Sequence, residues 1–206
     1  MPRFPILPTI IVTLAVGAMV ALGVWQLQRK EQKEALIALY ADNSTKAAIA
    51  YPRISPLRPT EMFRKSSVNC LEITGWQSGS GRDNRGKPGI EFIAECRTGA
   101  EGPGALIAVG IAGRPDAEPV WAGGILDGII ITEPDRYNFL EKLLGQAPPL
   151  RPMLIADAAP AGMRAVAKPS PKDVTNNHLS YAVQWFIFAA AAAVIYILAL
   201  RKRQAE

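Results

Sequence analysis

The chain has 206 residues, 49% of them hydrophobic and 20% charged, with a formal net charge of +5. That length suits one ordinary domain plus accessory segments. One histidine excludes any site that needs two His ligands, and two cysteines exclude a disulfide-dense scaffold and a four-thiolate metal site.

The apolar residues are unevenly spread. Ile6–Trp25 and Tyr181–Leu200 contain no charge, and each is 20 residues long. At 1.5 Å per residue that is the ~30 Å of a hydrocarbon core. Two such runs and no third argue against a purely soluble protein and against a multi-span transporter. The expected layout is 1–5 as a cytoplasmic end, 6–25 as the first membrane helix, 26–178 as an extracytoplasmic domain, 179–200 as the second membrane helix, and 201–206 as a cytoplasmic tail. The Arg201-Lys202-Arg203 cluster sets this orientation. Arg29, Lys30 and Lys33 argue the other way, but long loops translocate largely regardless of charge. A cleaved signal peptide fits less well, because Arg3 is the only basic residue ahead of the first run. No Arg- and Ser-rich amphipathic leader is seen, so the simplest home is a bacterial inner membrane with the middle domain in the periplasm. A lipid bilayer is therefore the expected surroundings. No basic stripe with interleaved aromatics points to nucleic acid.

Past the first run, Gln26–Asp42 sets Leu27, Ala35, Leu36, Leu39 and Tyr40 loosely on one face. The first helix is expected to continue to about Ala41 and end at Asn43-Ser44. Four residues after Glu31 and Glu34 stand Ala35 and Ala38, so packing rather than charge pairing must support this stretch.

From Pro52 the texture is short apolar runs between Pro and Gly. Ser67–Trp76, Ile90–Cys96, Ala105–Ala112, Val120–Ala122, Ile125–Thr132 and Met153–Ala156 read as strands. The Gly-rich tip between Trp76 and Ile90 should close a hairpin. Asp135–Leu144 reads as a short helix, and Asp157–Thr175 as an extended return to the membrane. The fold class is an α+β membrane protein: two transmembrane helices flanking a small antiparallel β domain, open barrel or sandwich, with one or two helices. If the hairpin is symmetric about Asp83, Trp76 opposes Ile90 and Cys70 opposes Cys96 within disulfide range. A one-residue slip removes that pairing, so a disulfide and two buried thiols both stay open. Asp83 and Asp127 read as turn residues.

The most informative segment is Thr175–Phe188, TNNHLSYAVQWFIF. On a helix, His178, Tyr181, Ala182 and Trp185 share a face, with Asn176 or Asn177 as the N-cap. Trp25 and Arg29 share a face where the first run leaves the membrane. One reading is an interfacial aromatic belt with polar caps. The sharper one is a site for a flat, apolar, anionic ligand such as haem, with His178 on the iron and Arg29 on a propionate. The small residues Thr13, Gly17 and Ala21, and Ala189–Ala193, allow close helix packing, on each other or on a partner helix.

TNNHLSYAVQWF before the second run, with LGVWQLQRKEQKEALI after the first, resembles the surfeit-locus-one (Shy-type) family of cytochrome c oxidase assembly factors. GRDNRGKPG is similar to that family's Asn-Arg…Gly…Gly loop, at Asn84, Arg85, Gly86 and Gly89. One departure is the stretch Ala108–Ala112, where the family usually has an Arg-Gly-Trp turn. The resemblance implies help in delivering or inserting haem a into oxidase subunit I, with that subunit and other assembly factors as partners and haem a as a transient cofactor. It implies His178 as haem-iron ligand, beside Tyr181, Trp185, Trp25 and Arg29. The alternative class is a two-span structural scaffold that binds no cofactor. An enzyme is not indicated, since neither a nucleophile elbow nor metal-ligand spacing is present.

Overall fold

Along the middle of the chain, strict alternation marks some strands and unbroken apolar runs mark others, and this difference sorts edge from centre in the sheet. The computed structural model describes residues 5–114 and 116–205; Arg3 and Glu206, with the rest of the expected end segment up to Phe4, lie outside them. The chain divides into two units, Met1–Leu36 with Val174–Glu206, and Ile37–Asp173.

The elements are α1 (Ile6–Thr45), β1 (Lys65–Cys70), β2 (Glu72–Arg82), β3 (Pro88–Arg97), β4 (Ala105–Ala112), β5 (Gly124–Thr132), α2 (Phe139–Leu143), β6 (Pro152–Ala156) and α3 (His178–Ala205), with a 3-10 turn at Pro171–Asp173. Six strands form one open sheet in the order β1-β5-β6-β4-β3-β2. The expected α+β class holds, but the sheet is mixed rather than antiparallel: β4 and β6 run parallel, with Leu106 opposite Met153. Parallel partners need a long crossover, and here β5 and α2 lie on it. Both strands are buried at every position. The sequences ALIAVGIA and PMLIA have no polar side chain, as strands covered on both faces require. Tyr51 clips the pair, its hydroxyl donating to Pro152 O at 2.5 Å and accepting from Leu106 N–H at 3.4 Å. Burial raises the Tyr51 phenol above its ordinary value.

Ser67–Trp76, read above as one strand, is two. Leu71 alone separates β1 from β2, which lie at opposite edges of the sheet. The sheet therefore curls until its edges approach. Leu71 N–H reaches Arg97 O at 2.9 Å, and Cys70 in β1 is disulfide-bonded to Cys96 in β3, with Cα atoms 5.2 Å apart. The larger apolar cluster fills the curl and draws on every strand: Val68, Ile73, Ala94, Ile107, Val109, Ile130 and Leu154. A smaller cluster of Ile93, Leu106, Ile111, Met153, Ile155 and Val166 covers the other face.

Other expectations are also corrected. The hairpin centres near Arg85 rather than Asp83, with Trp76 opposite Ala94 and a bulge between Ile73 and Gly75. The bonded cysteines thus sit on β1 and β3 rather than facing each other across a symmetric hairpin. Val120–Ala122 is not a strand, being bounded by Pro119 and by Gly123 and Gly124, both at positive φ. Asp127 lies within β5 opposite Ser67, not in a turn. The first helix runs to Thr45, and Glu34 does have a charge partner, Lys30, at 2.9 Å behind it. Its last turns, from Ile37 on, belong to the Ile37–Asp173 unit and are held within it by Tyr40 on Phe63 and by the buried Asn43 amide, which donates to Pro59 O and Met62 O.

The Cys70–Cys96 bond closes a separation of 26 residues, a loop for which a cross-link stabilises by about 3 kcal/mol. Replacing both cysteines with Ala should lower the unfolding free energy of the full chain in detergent by that much, read as a fall in its denaturant midpoint. An unchanged midpoint would mean that packing alone holds the curl.

Candidate functional site

The unit of Met1–Leu36 with Val174–Glu206 is a pair of antiparallel helices. Both are long and apolar enough to cross a membrane. Most of their large apolar side chains, Leu7, Leu14, Ile187 and Ile195 among them, point outward. Along α1 the less exposed positions include Thr9, Val12, Val16, Met19, Gly23, Gln26 and Lys30, alternating steps of three and four, with Leu27 beside Gln26. On α3 they include His178, Ala182, Trp185, Ala189, Ala192 and Tyr196. A 3-4 spacing is the seam of two helices wound on each other.

Three contacts fix the register of that seam. Thr9 Oγ1 lies 2.5 Å from Tyr196 OH. A Cβ on Gly23 would sit 2.6 Å from the Phe186 ring, so only glycine admits that ring. His178 Nδ1 is 2.7 Å from Gln26 Oε1. Ala182 and Ala189, at 0% and 5% exposure, complete the α3 side. Of the small residues read from the sequence, Ala189 thus faces α1, whereas nothing lies within 4 Å of a Cβ placed on Gly17.

His178 is the first residue of α3 and is partly buried. The Asn177 carbonyl accepts the Tyr181 N–H at 3.3 Å, which puts Asn177 at the cap. Asn176 Oδ1 is buried with no hydrogen-bond partner among the described residues. Trp185 turns toward the seam side and meets Phe188 edge-to-face at 6.3 Å. Tyr181 and Trp25 are each about half exposed. Arg29 is exposed and donates to Gln32 Oε1 at 2.8 Å. No hydrogen bond, ion pair or ring contact joins Trp25, Arg29 or Tyr181 to His178 among the described residues. The residue brought to the imidazole is Gln26. The sequence reading passed over it for its aromatic and charged neighbours, although the 3-4 spacing through Gly23 marks it.

The second motif lies in the Ile37–Asp173 unit. Asp83–Lys87 forms the turn between β2 and β3, and Asp83 is 1% exposed. Its Oδ1 accepts the N–H groups of Arg85 (2.9 Å) and Lys87 (2.8 Å), and its Oδ2 pairs with Arg164 at 2.7 Å. Burial pushes the carboxyl up, but the Lys87 and Arg85 N–H groups and the Arg164 and Arg85 charges outweigh it and hold the carboxyl below its ordinary value. Asn84 N–H donates to Ala165 O, and Gly86 takes φ 78°. A Cβ on Gly89 would meet Ala112 O at 2.3 Å, so the chain needs glycine there to pass β4. Asp83 is thus the turn residue expected, and Arg164, far along the chain, is its unforeseen partner.

If Gly23 sets the seam, Gly23→Leu should destabilise the helix pair by about 1–3 kcal/mol. Gly17→Leu should stay within about 0.5 kcal/mol of the parent. The thermal midpoint of the helical signal in detergent reads both; equal effects would contradict the seam.

Residues 13–190 match the SURF1 family, a span that takes in most of α1, the whole sheet and the start of α3 as far as Ala190. No curated protein sequence matches the chain. A match over most of the length shows membership: the chain belongs to the SURF1 family, membrane-associated assembly factors of cytochrome oxidase rather than enzymes.

Proposed function

We propose that this protein assists delivery or insertion of haem a into subunit I of cytochrome c oxidase, holding the haem transiently through His178. The observation that carries the reading is the state of that imidazole: partly buried, Nδ1 tied to Gln26, and Nε2 bonded by no described residue. The donor set suits the group. His178 would hold a haem through an imidazole nitrogen, and the group when bound would supply the iron–nitrogen bond that retains it. Half-exposed Trp25 and Tyr181 offer ring faces to a flat apolar molecule. Among the described residues Arg29 has only a neutral amide as partner, which a carboxylate would outcompete. Asn176 Oδ1, two residues before His178, is a buried acceptor with no donor among the described residues.

A scaffold without cofactor is the second reading. It is favoured by the Arg29–Gln32 bond and by the lack of contact between His178 and Trp25 or Arg29. Full-length protein purified from cells that make haem a separates the two. It should carry a Soret band, and His178→Ala should cut haem retention by more than about tenfold, the lower end of what loss of even an outer-shell partner does. Arg29→Ala should cut it less. Unchanged haem content and Soret position in His178→Ala would overturn ligation, and wild type that never carries haem would favour the scaffold.

By the same reading the protein sits in a bacterial inner membrane, both ends cytoplasmic, with the Ile37–Asp173 unit in the periplasm beside oxidase subunit I and other assembly factors. Two features support this. Arg201, Lys202 and Arg203 follow the apolar stretch of α3. The Cys70–Cys96 bond suits an oxidising compartment. A reporter active only in the periplasm should work near Gly81 and be silent after Glu206; the reverse pattern would refute the orientation. Deleting the protein should lower the amount of assembled, haem-containing oxidase, and a full complement of slow oxidase would contradict an assembly role.

A further inference from the structure

The contact between Gln26 and His178 joins the two helices at the only imidazole in the chain. In a neutral imidazole one nitrogen carries the proton and the other a lone pair, and the hydrogen bond made by one decides the state of the other. Gln26 Oε1 is a carbonyl oxygen and can only accept. At 2.7 Å from Nδ1 it therefore holds the proton on Nδ1, leaving Nε2 as the bare nitrogen. Free imidazole side chains in water favour the opposite arrangement, so the tautomer here needs a cause. No other described residue bonds to the ring.

The helix seam makes that cause reliable. Gly23 lies one turn before Gln26 on the same face, and its missing Cβ admits the Phe186 ring. This stacks α1 on α3 with Gln26 level with His178. Ala182, one turn into α3 and fully buried, keeps the approach close. The amide is thus delivered by the register of two helices rather than by a mobile loop. Histidines that ligate metals regularly donate their second ring N–H to a fixed acceptor, which sets tautomer, ring orientation and basicity.

We infer that Gln26 is a positioning residue: it holds His178 as the Nδ1–H tautomer, so that Nε2 is the nitrogen presented to an iron-centred ligand. The inference rests on the haem reading for its purpose, but its physical content can be judged without haem. The chain has one histidine, so the two imidazole ¹⁵N resonances of labelled full-length protein in detergent belong to His178. At about pH 8.5, well above the ordinary imidazole range, wild type should show the proton on Nδ1. Gln26→Leu removes the acceptor and should move the ring toward Nε2–H. Gln26→Glu restores an acceptor and should restore Nδ1–H. Circular dichroism at matched detergent checks that each variant keeps its helices.

A second measurement titrates ferric protoporphyrin IX into the same proteins and reads the Soret band. Gln26→Leu should bind about tenfold or more weakly, the size expected for an outer-shell partner, with Gln26→Glu close to wild type. Proton on Nε2 in wild type, or a tautomer unchanged in Gln26→Leu, would overturn the inference whatever the haem result. An unchanged tautomer beside loss of haem in His178→Ala would leave the haem reading standing while removing Gln26 from it. Should no variant or wild type bind the porphyrin, the haem reading fails, and the nitrogen resonances still decide whether Gln26 sets the tautomer. If Gln26→Leu loses its helices, the wild-type and Gln26→Glu resonances carry the test.

Discussion

A single residue, Leu71, stands between two strands that lie at opposite edges of one sheet. A flat six-stranded sheet would hold its outermost strands about 24 Å apart at 4.8 Å per step, far beyond the reach of one residue. The sheet must curl, and much of the domain follows from this. The concave face becomes the core and takes apolar side chains from all six strands. The edges approach without laddering, so a covalent bond from β1 to β3 and one backbone bond from Leu71 to Arg97 hold the seam. The bulge between Ile73 and Gly75 adds the local twist that a strand leaving such a corner needs.

The two helices are governed by a different economy. Apolar contact with lipid is as favourable as apolar contact with a neighbour, so close packing and polar bonds decide how membrane helices pair. This pair uses both. Alanines and Gly23 bring the backbones near, and polar contacts stand toward either end, Thr9 with Tyr196 and Gln26 with His178. Ordering a glutamine side chain costs about 1.5–2 kcal/mol of rotamer entropy, which a net hydrogen bond of about 1 kcal/mol does not offset alone. The neighbouring Gly23–Phe186 contact helps to carry that ordering.

Much of this was legible in the sequence. Uncharged runs gave both long helices, and β3 through β6 fall where apolar runs lie between Gly and Pro. The failures have physical reasons. No Gly or Pro marks Leu71, and the residue pattern continues across it, so local reading joins β1 to β2. The β4–β6 pairing is a matter of topology, which no local pattern states, although two runs with no polar side chain were a sign of strands buried on both faces. The sequence left a disulfide and two buried thiols both open, on a hairpin register that proved wrong by four residues; the cysteines meet because the sheet curls, not because they face each other in a hairpin. At the candidate site, aromatic and charged residues drew attention from Gln26, whose place in the 3-4 spacing was visible once the helices were taken as a pair.

β6 is the last strand to be made and the one that sits between β5 and β4. Until Pro152–Ala156 leaves the ribosome, the sheet exists only as two halves, β1 with β5 and the β4-β3-β2 meander. Each half then exposes an apolar strand edge of the kind that pairs with other chains. Synthesis order and spatial order are thus at odds, and a nascent chain passes through an interval in which β4 and β5 are made but each is paired along one edge only. A truncation just before Pro152 would remove the central join of the sheet while leaving both outer strands in place.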